Sequence, residues 1–598
     1  MARITLLLAL AGLLAFGTIA GAGEGIVDQH SGSSHNRKCL YEFGREDTTL
    51  VTDTVQVSFT AVVNPPLLEI QPLIVSGPSE NRVDLVFFSD GYILEEREKF
   101  IQDALRLAED VSGNQTFNTV KPLLNFWAAF TPSEESGVGT GGKPKKTPYG
   151  LYRDGTELRA VYYAYPEVAD AACTSMGQQC DFPILLGNDP LYGGLGGRFT
   201  VITSSILNGP LILRHELGHS IIPVGEEYDG GFAYFGANAY HNLSEPVPWT
   251  HWQEKDQILS NMGPRVERSV MPLQIYPWTL LNTSSPYTST FISSGTFPRY
   301  LVRFSLSGLP SKHDLRVELD GKDLGWEPKP GLGVDRWHYD IKLGDGWDPE
   351  AGRIHRGGLK AGSHELSFVL LNKDGEGEAQ LCSAEVLEFG SEEEFVSAPG
   401  YYGVFPTYSD TNLTSYRPTN EDCLMRVVTT PDFCSVCLEG LWHALLARVR
   451  LIDSFVVVTH DSAPTGDETE HVEDKVTIEV KLVPLAQFRL DSIQSSLGLS
   501  RSGNNNDDSI RALAESESYT ITWTQDGIPL PQFTNMTRIE VQVVGGYDGF
   551  VIEEAEATKG GSYVAYTVTV QFYTPEVRVD KEGHMSDQRK MMISSRAL

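Results

Sequence analysis

Alternating apolar positions and apolar positions at helical spacing divide this chain into distinct regions. Residues 82–88 form a short apolar run that predicts a strand, closed by Ser89-Asp90-Gly91-Tyr92. Phe100, Ala104, Leu107, Ala108 and Val111 then keep helical spacing, and Glu95, Glu96, Glu98 and Asp103 acidify the first half of that helix. Further strands are expected at 55–63, 67–75, 125–131, 161–163, 184–186 and 199–203. The glycine-rich stretch 192–197 lacks the Lys-Ser/Thr ending of a phosphate loop and does not run into a helix, so it is expected to flank an edge strand. Asn208-Gly209-Pro210 starts a second helix, with Leu211, Leu213, Leu217, Ile221 and Ile222 as its apolar positions and Pro223 and Gly225 as its stop. Strands interleaved with helices predict an α/β unit.

After about residue 293 the period changes to two. Val302, Phe304 and Leu306 alternate, as do Leu315, Val317 and Leu319 before Asp320-Gly321, a hairpin turn, and then Leu366, Phe368 and Leu370. A helix is expected at 438–449. Alternation returns at Val476–Leu482, 539–543 and 564–570, with a strand and turn at 519–530. The expected fold class is multidomain α+β: a zincin-like α/β catalytic domain with an inserted β module and a C-terminal β-sandwich. The expected boundaries are a signal peptide at 1–22, an N-terminal β region at 23–79 and the catalytic domain at 80–292 and 391–460. The inserted module takes 293–390 and the sandwich 474–580.

The second helix carries His215-Glu216-Leu217-Gly218-His219, an HExxH pattern. On a helix, residues four apart share a face, so both imidazoles can hold one Zn²⁺ while Glu216 takes a proton from its water. A hydrolytic zinc site has three protein ligands and one open position. The third ligand is expected to be Glu226, with Glu227 as the alternative, and Tyr228 is a candidate oxyanion donor. Met425 is expected to lie beneath the site, where an unbranched thioether fits irregular space.

Residues 1–22 have a positive start, an apolar run and a small-residue cleavage site, which predicts export. Later apolar runs are too short to span a membrane. Export permits disulfides. Among seven cysteines, Cys173 with Cys180, and Cys423, Cys434 and Cys437, are the disulfide candidates. Cys434-Ser435-Val436-Cys437 is half a zinc ribbon without its second pair. Asn114, Asn242, Asn282, Asn412 and Asn535 begin N-x-S/T sequons, candidates for glycosylation. The net charge of −32 argues against nucleic acid or anionic membrane as partner.

In order along the chain, 82–92, 133–137, Tyr192-Gly193-Gly194, His215–His219 with Glu226-Glu227-Tyr228, Arg417-Pro418, Cys423-Leu424-Met425-Arg426 and Phe433-Cys434 to Cys437 resemble the IgA peptidase family of secreted zinc metallopeptidases. The resemblance covers roughly residues 80–260 and 400–450. It departs at Glu226, where the family typically has Asp, which keeps the acidic type. It implies a zinc peptidase acting on protein or peptide substrates, with residues 293–390 as an insertion; no IgA-recognising surface is legible. The competing expectation is a secreted binding or adhesion protein with an inert zincin domain and working β modules.

Overall fold

The computed structural model describes residues 63–113, 116–155, 157–254, 264–345, 357–459, 474–489, 506–543, 547–552 and 562–595. The expected leader, most of the N-terminal segment, the acidic stretch 461–473 and Asn114 lie outside them.

A six-stranded mixed sheet carries the first region. Its strands are β1 (Glu69–Val75), β2 (Val83–Asp90), β3 (Leu124–Phe130), β4 (Phe182–Gly187), β5 (Gly194–Leu195) and β6 (Thr200–Thr203), in spatial order β1-β3-β2-β4-β6-β5. β3, β2, β4 and β6 run parallel, and the two outer strands are antiparallel. All eight positions of β2 are buried, as expected of a parallel strand covered on both faces. Its alternate side chains feed two cores. Leu85 and Phe87 join helix α1 (Arg97–Gly113), while Val86 and Phe88 join Ala169 and Ala172 of helix α2 (Pro166–Ser175). A Cys173–Cys180 disulfide ties the end of α2 to the approach to β4. β1 pairs with β3, so residues 69–75, expected in a separate N-terminal region, complete this sheet.

The HExxH segment is helix α3 (Gly209–Ile221), packed on α1 and β6. It starts at Asn208-Gly209-Pro210 and stops where Ile222 turns extended before Pro223.

Two antiparallel sheets follow. One contains Ser269–Ile275, Thr279–Leu280, Arg299–Ser307, Trp337–Gly344 and Gln380–Phe389. The other contains Tyr287–Ser293, Leu315–Leu319, Lys322–Asp323 and Gly362–Leu370. They share one core, with Phe304 edge-on to Phe368 at 5.5 Å. Asp320 and Gly321 both have positive φ, as the Asp-Gly hairpin requires. The sheets begin at Ser269 rather than 293. Pro272 breaks that strand's alternation, and the register shifts where it pairs with Gln380–Phe389.

The chain then returns to the first region. Phe405–Tyr408 pairs with Thr414–Arg417, and helix α4 (Ser435–Leu446) packs against α3. The last sheets are antiparallel. Ile452–Thr459 pairs with Asp474–Leu482, which pairs with Arg538–Val543, so 452–459 belongs with the C-terminal strands. Ser518–Gln525, Ser562–Tyr573 and Ser586–Ser595 form the other sheet, whose last strand runs past the expected end at 580. Phe455 and Trp523 meet between the two sheets, ring centres 6.0 Å apart. The chain is thus α+β, with a mixed α/β sheet region first and several antiparallel sheets later. Among the described residues no helix is long and apolar enough to cross a membrane.

Candidate metal centre

His215 and His219 lie on one face of α3, ring centres 4.9 Å apart. Each ring is fixed by its Nδ1. His215 Nδ1 is 3.2 Å from the Leu424 carbonyl and His219 Nδ1 is 3.1 Å from the Val224 carbonyl. A carbonyl only accepts, so both Nδ1 atoms carry a proton and Nε2 is the nitrogen each ring turns toward a ligand. The two Nε2 atoms converge on Glu226: His219 Nε2 is 3.1 Å from Oε1 and His215 Nε2 is 3.3 Å from Oε2. Glu226 Oε2 is buried without a hydrogen-bond partner. Two imidazoles presenting Nε2 to one buried carboxylate are a donor set that fits Zn²⁺.

The segment after α3 separates the two glutamates. Glu226 N donates to the Ala233 carbonyl at 2.8 Å, and Glu227 N donates to the Met425 carbonyl at 3.0 Å. The chain is extended here, so successive side chains point to opposite sides. Glu226 faces the histidines. Glu227 faces Cys423, Cys434 and Cys437, away from them.

Electrostatics follow the geometry. Burial pushes Glu226 up, but the imidazoles of His219 and His215 outweigh it and hold the carboxyl far below the usual range. Burial pulls His219 down, yet Glu226 carries it to about 9 in the metal-free protein. Glu216 is raised by its burial, against the pull of both histidines. The Tyr228 ring centre is 6.3 Å from that of His215. The residue is 38% exposed, but burial around the hydroxyl and the Glu226 and Glu216 carboxylates push the phenol well up, so it keeps its proton.

The bare edge strand β5 lies over α3. A Cβ on Gly196, the residue after β5, would sit 2.7 Å from Glu216 Oε2 and 3.1 Å from His219 Cβ, so glycine lets this segment approach the HExxH face. On the far side of the helix a Cβ on Gly218 would meet Phe433 at 3.0 Å and the Met425 sulfur at 3.1 Å. Met425 is fully buried.

The sequence-based reading passes over three supports. The Leu424 and Val224 carbonyls carry no side-chain signal. Asn238 donates from Nδ2 to Glu227 Oε1 at 2.9 Å and to the Gly225 carbonyl. Asp335, from the inserted sheets, accepts from Tyr192 N at 2.6 Å, Ser205 Oγ at 2.9 Å and Asn208 Nδ2 at 2.8 Å, which ties it to the start of α3. One expectation is corrected. Cys423, Cys434 and Cys437 are free thiols, because all three turn toward Glu227 and the Cys423 and Cys437 sulfurs stand 3.7 Å apart. Of the sequon asparagines, Asn242, Asn282, Asn412 and Asn535 are exposed.

No curated protein matches the chain. Among solved structures, a β-porphyranase of glycoside hydrolase family 86 from Bacteroides plebeius is 13% identical over 20% of each chain, with a TM-score of 0.15. A family 35 carbohydrate-binding module from Clostridium thermocellum is 9% identical over 21% of this chain and 92% of its own, with a TM-score of 0.13. The chain therefore spans a fifth of the length of the first of these. The family model of IgA Peptidase M64 matches residues 71–252, the stretch that holds most of β1, all of β2 to β6, α3 and Glu226. Over these residues the chain is similar to the IgA Peptidase M64 family of metallopeptidases.

Proposed function

We propose that this chain is an exported zinc peptidase in which His215, His219 and Glu226 hold the metal and Glu216 is the general base. The carrying observation is the fixed orientation of both histidines, whose Nε2 atoms meet on Glu226. Bound zinc supplies an acidified water and polarisation of the scissile carbonyl. Glu216, raised by burial, accepts the water proton and returns it to the leaving amine. Tyr228, still protonated, donates to the developing oxyanion. Strand β5 has a free edge, since it ends the sheet, and an extended peptide pairing there lies across Glu216.

The arrangement is that of a zincin, with Met425 as the floor under α3 and the sheets at 269–389 inserted between two parts of one catalytic domain. The disulfide and four exposed sequon asparagines suit an extracellular protein. The inert-binder reading gives no reason for a carboxylate held between two ligand-ready histidines and a bare edge strand.

Casein digestion with and without a chelator tests the proposal. Cleavage that stops on chelation and returns with zinc is expected. A folded, zinc-loaded protein that leaves casein and a mixed peptide library intact overturns it.

A further inference from the structure

A second cluster of donors lies behind α3. Cys423, Cys434, Cys437 and Glu227 are all buried, and one ligand atom from each falls within 4.8 Å of every other. The Cys423 and Cys437 sulfurs are 3.7 Å apart, and Cys437 Sγ is 3.5 Å from Glu227 Oε1. Glu227 Oε1 also accepts from Asn238, but Oε2 is buried with no hydrogen-bond partner. A buried carboxylate oxygen left unsatisfied is costly, so a carboxylate aimed at three thiols asks for a cation.

We propose that Cys423, Cys434, Cys437 and Glu227 form a second, structural zinc site that braces the HExxH helix. Two of the six donor–donor spacings are those of a tetrahedron around zinc, and the others lie within 4.8 Å. Zn–S bonds of about 2.3 Å put neighbouring sulfurs about 3.7–3.8 Å apart, and a Zn–O bond of about 2.0–2.2 Å puts oxygen about 3.5–3.6 Å from sulfur. Both edges match the observed distances. Zn²⁺ displaces the three thiol protons, so three Zn–S bonds and one Zn–O bond form with no change of oxidation state. Three thiolates select a soft or borderline ion over calcium or magnesium, and four protein ligands close the site to water.

The surroundings suit thiolates. Cys434 caps α4 and Cys437 is its third residue, where unpaired N–H groups face outward. Cys434 N donates to Cys423 Sγ at 3.4 Å. The buried guanidinium group of Arg417 favours the Glu227 carboxylate, and Arg426, paired with Asp229, donates to the Glu227 carbonyl at 3.1 Å.

The consequence for the first site is direct. Glu227 adjoins Glu226, and Cys423 adjoins Leu424, whose carbonyl orients His215. Cys434 adjoins Phe433, which packs on Gly218. One ion therefore pins three segments that shape the peptidase site.

The inference stands apart from the peptidase reading, and its test does not use activity. Full-length protein is analysed for zinc by mass spectrometry. Two zinc ions per chain are expected in the natural protein, one after His215→Ala with His219→Ala, and one after Cys434→Ser with Cys437→Ser. Should the cysteine variant fail to fold, the histidine variant is reconstituted with Co²⁺. Strong near-ultraviolet sulfur-to-cobalt absorption is then expected, since only the cysteine cluster remains. A folded protein without that absorption, or a disulfide joining any two of Cys423, Cys434 and Cys437 in the non-reduced peptide map, overturns the proposal.

Discussion

Glu226 and Glu227 are neighbours in the chain, yet their carboxylates belong to different clusters, one to two histidines and the other to three cysteines. An extended backbone held on one side by the Ala233 carbonyl and on the other by the Met425 carbonyl produces this division.

Glu226→Gln keeps the shape of the side chain and removes its charge. Metal affinity is expected to fall by more than the about 10–100-fold typical of losing an outer partner. Competition with a calibrated zinc chelator measures it, and unchanged affinity assigns the third ligand elsewhere.

Glu216→Gln leaves the His215, His219 and Glu226 donors in place. The variant is expected to keep zinc while kcat falls about 10²–10⁴-fold, the range for loss of a general acid–base group. Retained turnover removes Glu216 from the mechanism.

Gly218→Ala sets two effects against each other. Alanine gains about 1 kcal/mol of helix propensity, but its methyl meets Phe433 at 3.0 Å and Met425 at 3.1 Å. Overpacking of that kind costs about 1–3 kcal/mol, so net destabilisation is expected. Pairing it with Met425→Ala opens the space again, and a double-mutant cycle in urea should recover part of the loss. Additive effects show that Met425 does not press on the helix.

Glu439 ties α4 to two other segments. It accepts from His251 at 2.6 Å, Trp252 Nε1 at 3.0 Å and the backbone N–H groups of Arg578 and Val579. Burial pushes its carboxyl up, but these donors, His251 foremost, bring it down to about 2. A depressed carboxyl stabilises the fold above its unfolded value near 4.5 and loses that contribution as pH falls toward 2. Glu439→Gln is expected to cost about 2 kcal/mol at neutral pH. Its stability should vary less than the natural protein's between pH 4.5 and 2, which denaturation across that window tests.

The legible parts of the sequence were the local ones. His215 and His219 are read from a four-residue spacing within one helix, and β2 from one apolar run. The choice between Glu226 and Glu227 was not legible, because it depends on backbone hydrogen bonds to Ala233 and Met425. The three thiols were legible as a group but were read as disulfide partners, because Glu227 lies 210 residues before Cys437. Ser269–Ile275 escaped because Pro272 interrupts its alternation. Asp335 carried no signal, since its partners Tyr192, Ser205 and Asn208 lie in another region.

The Leu424 carbonyl that orients His215 is 209 residues further along the chain. A ribosome adding about 5–20 residues per second reaches it about 10–40 s after the histidine. For that interval the growing polypeptide has His215 but not the carbonyl that holds its ring. If His215 holds the metal as proposed, a chain stopped short of residue 424 is expected to lack an oriented first ligand.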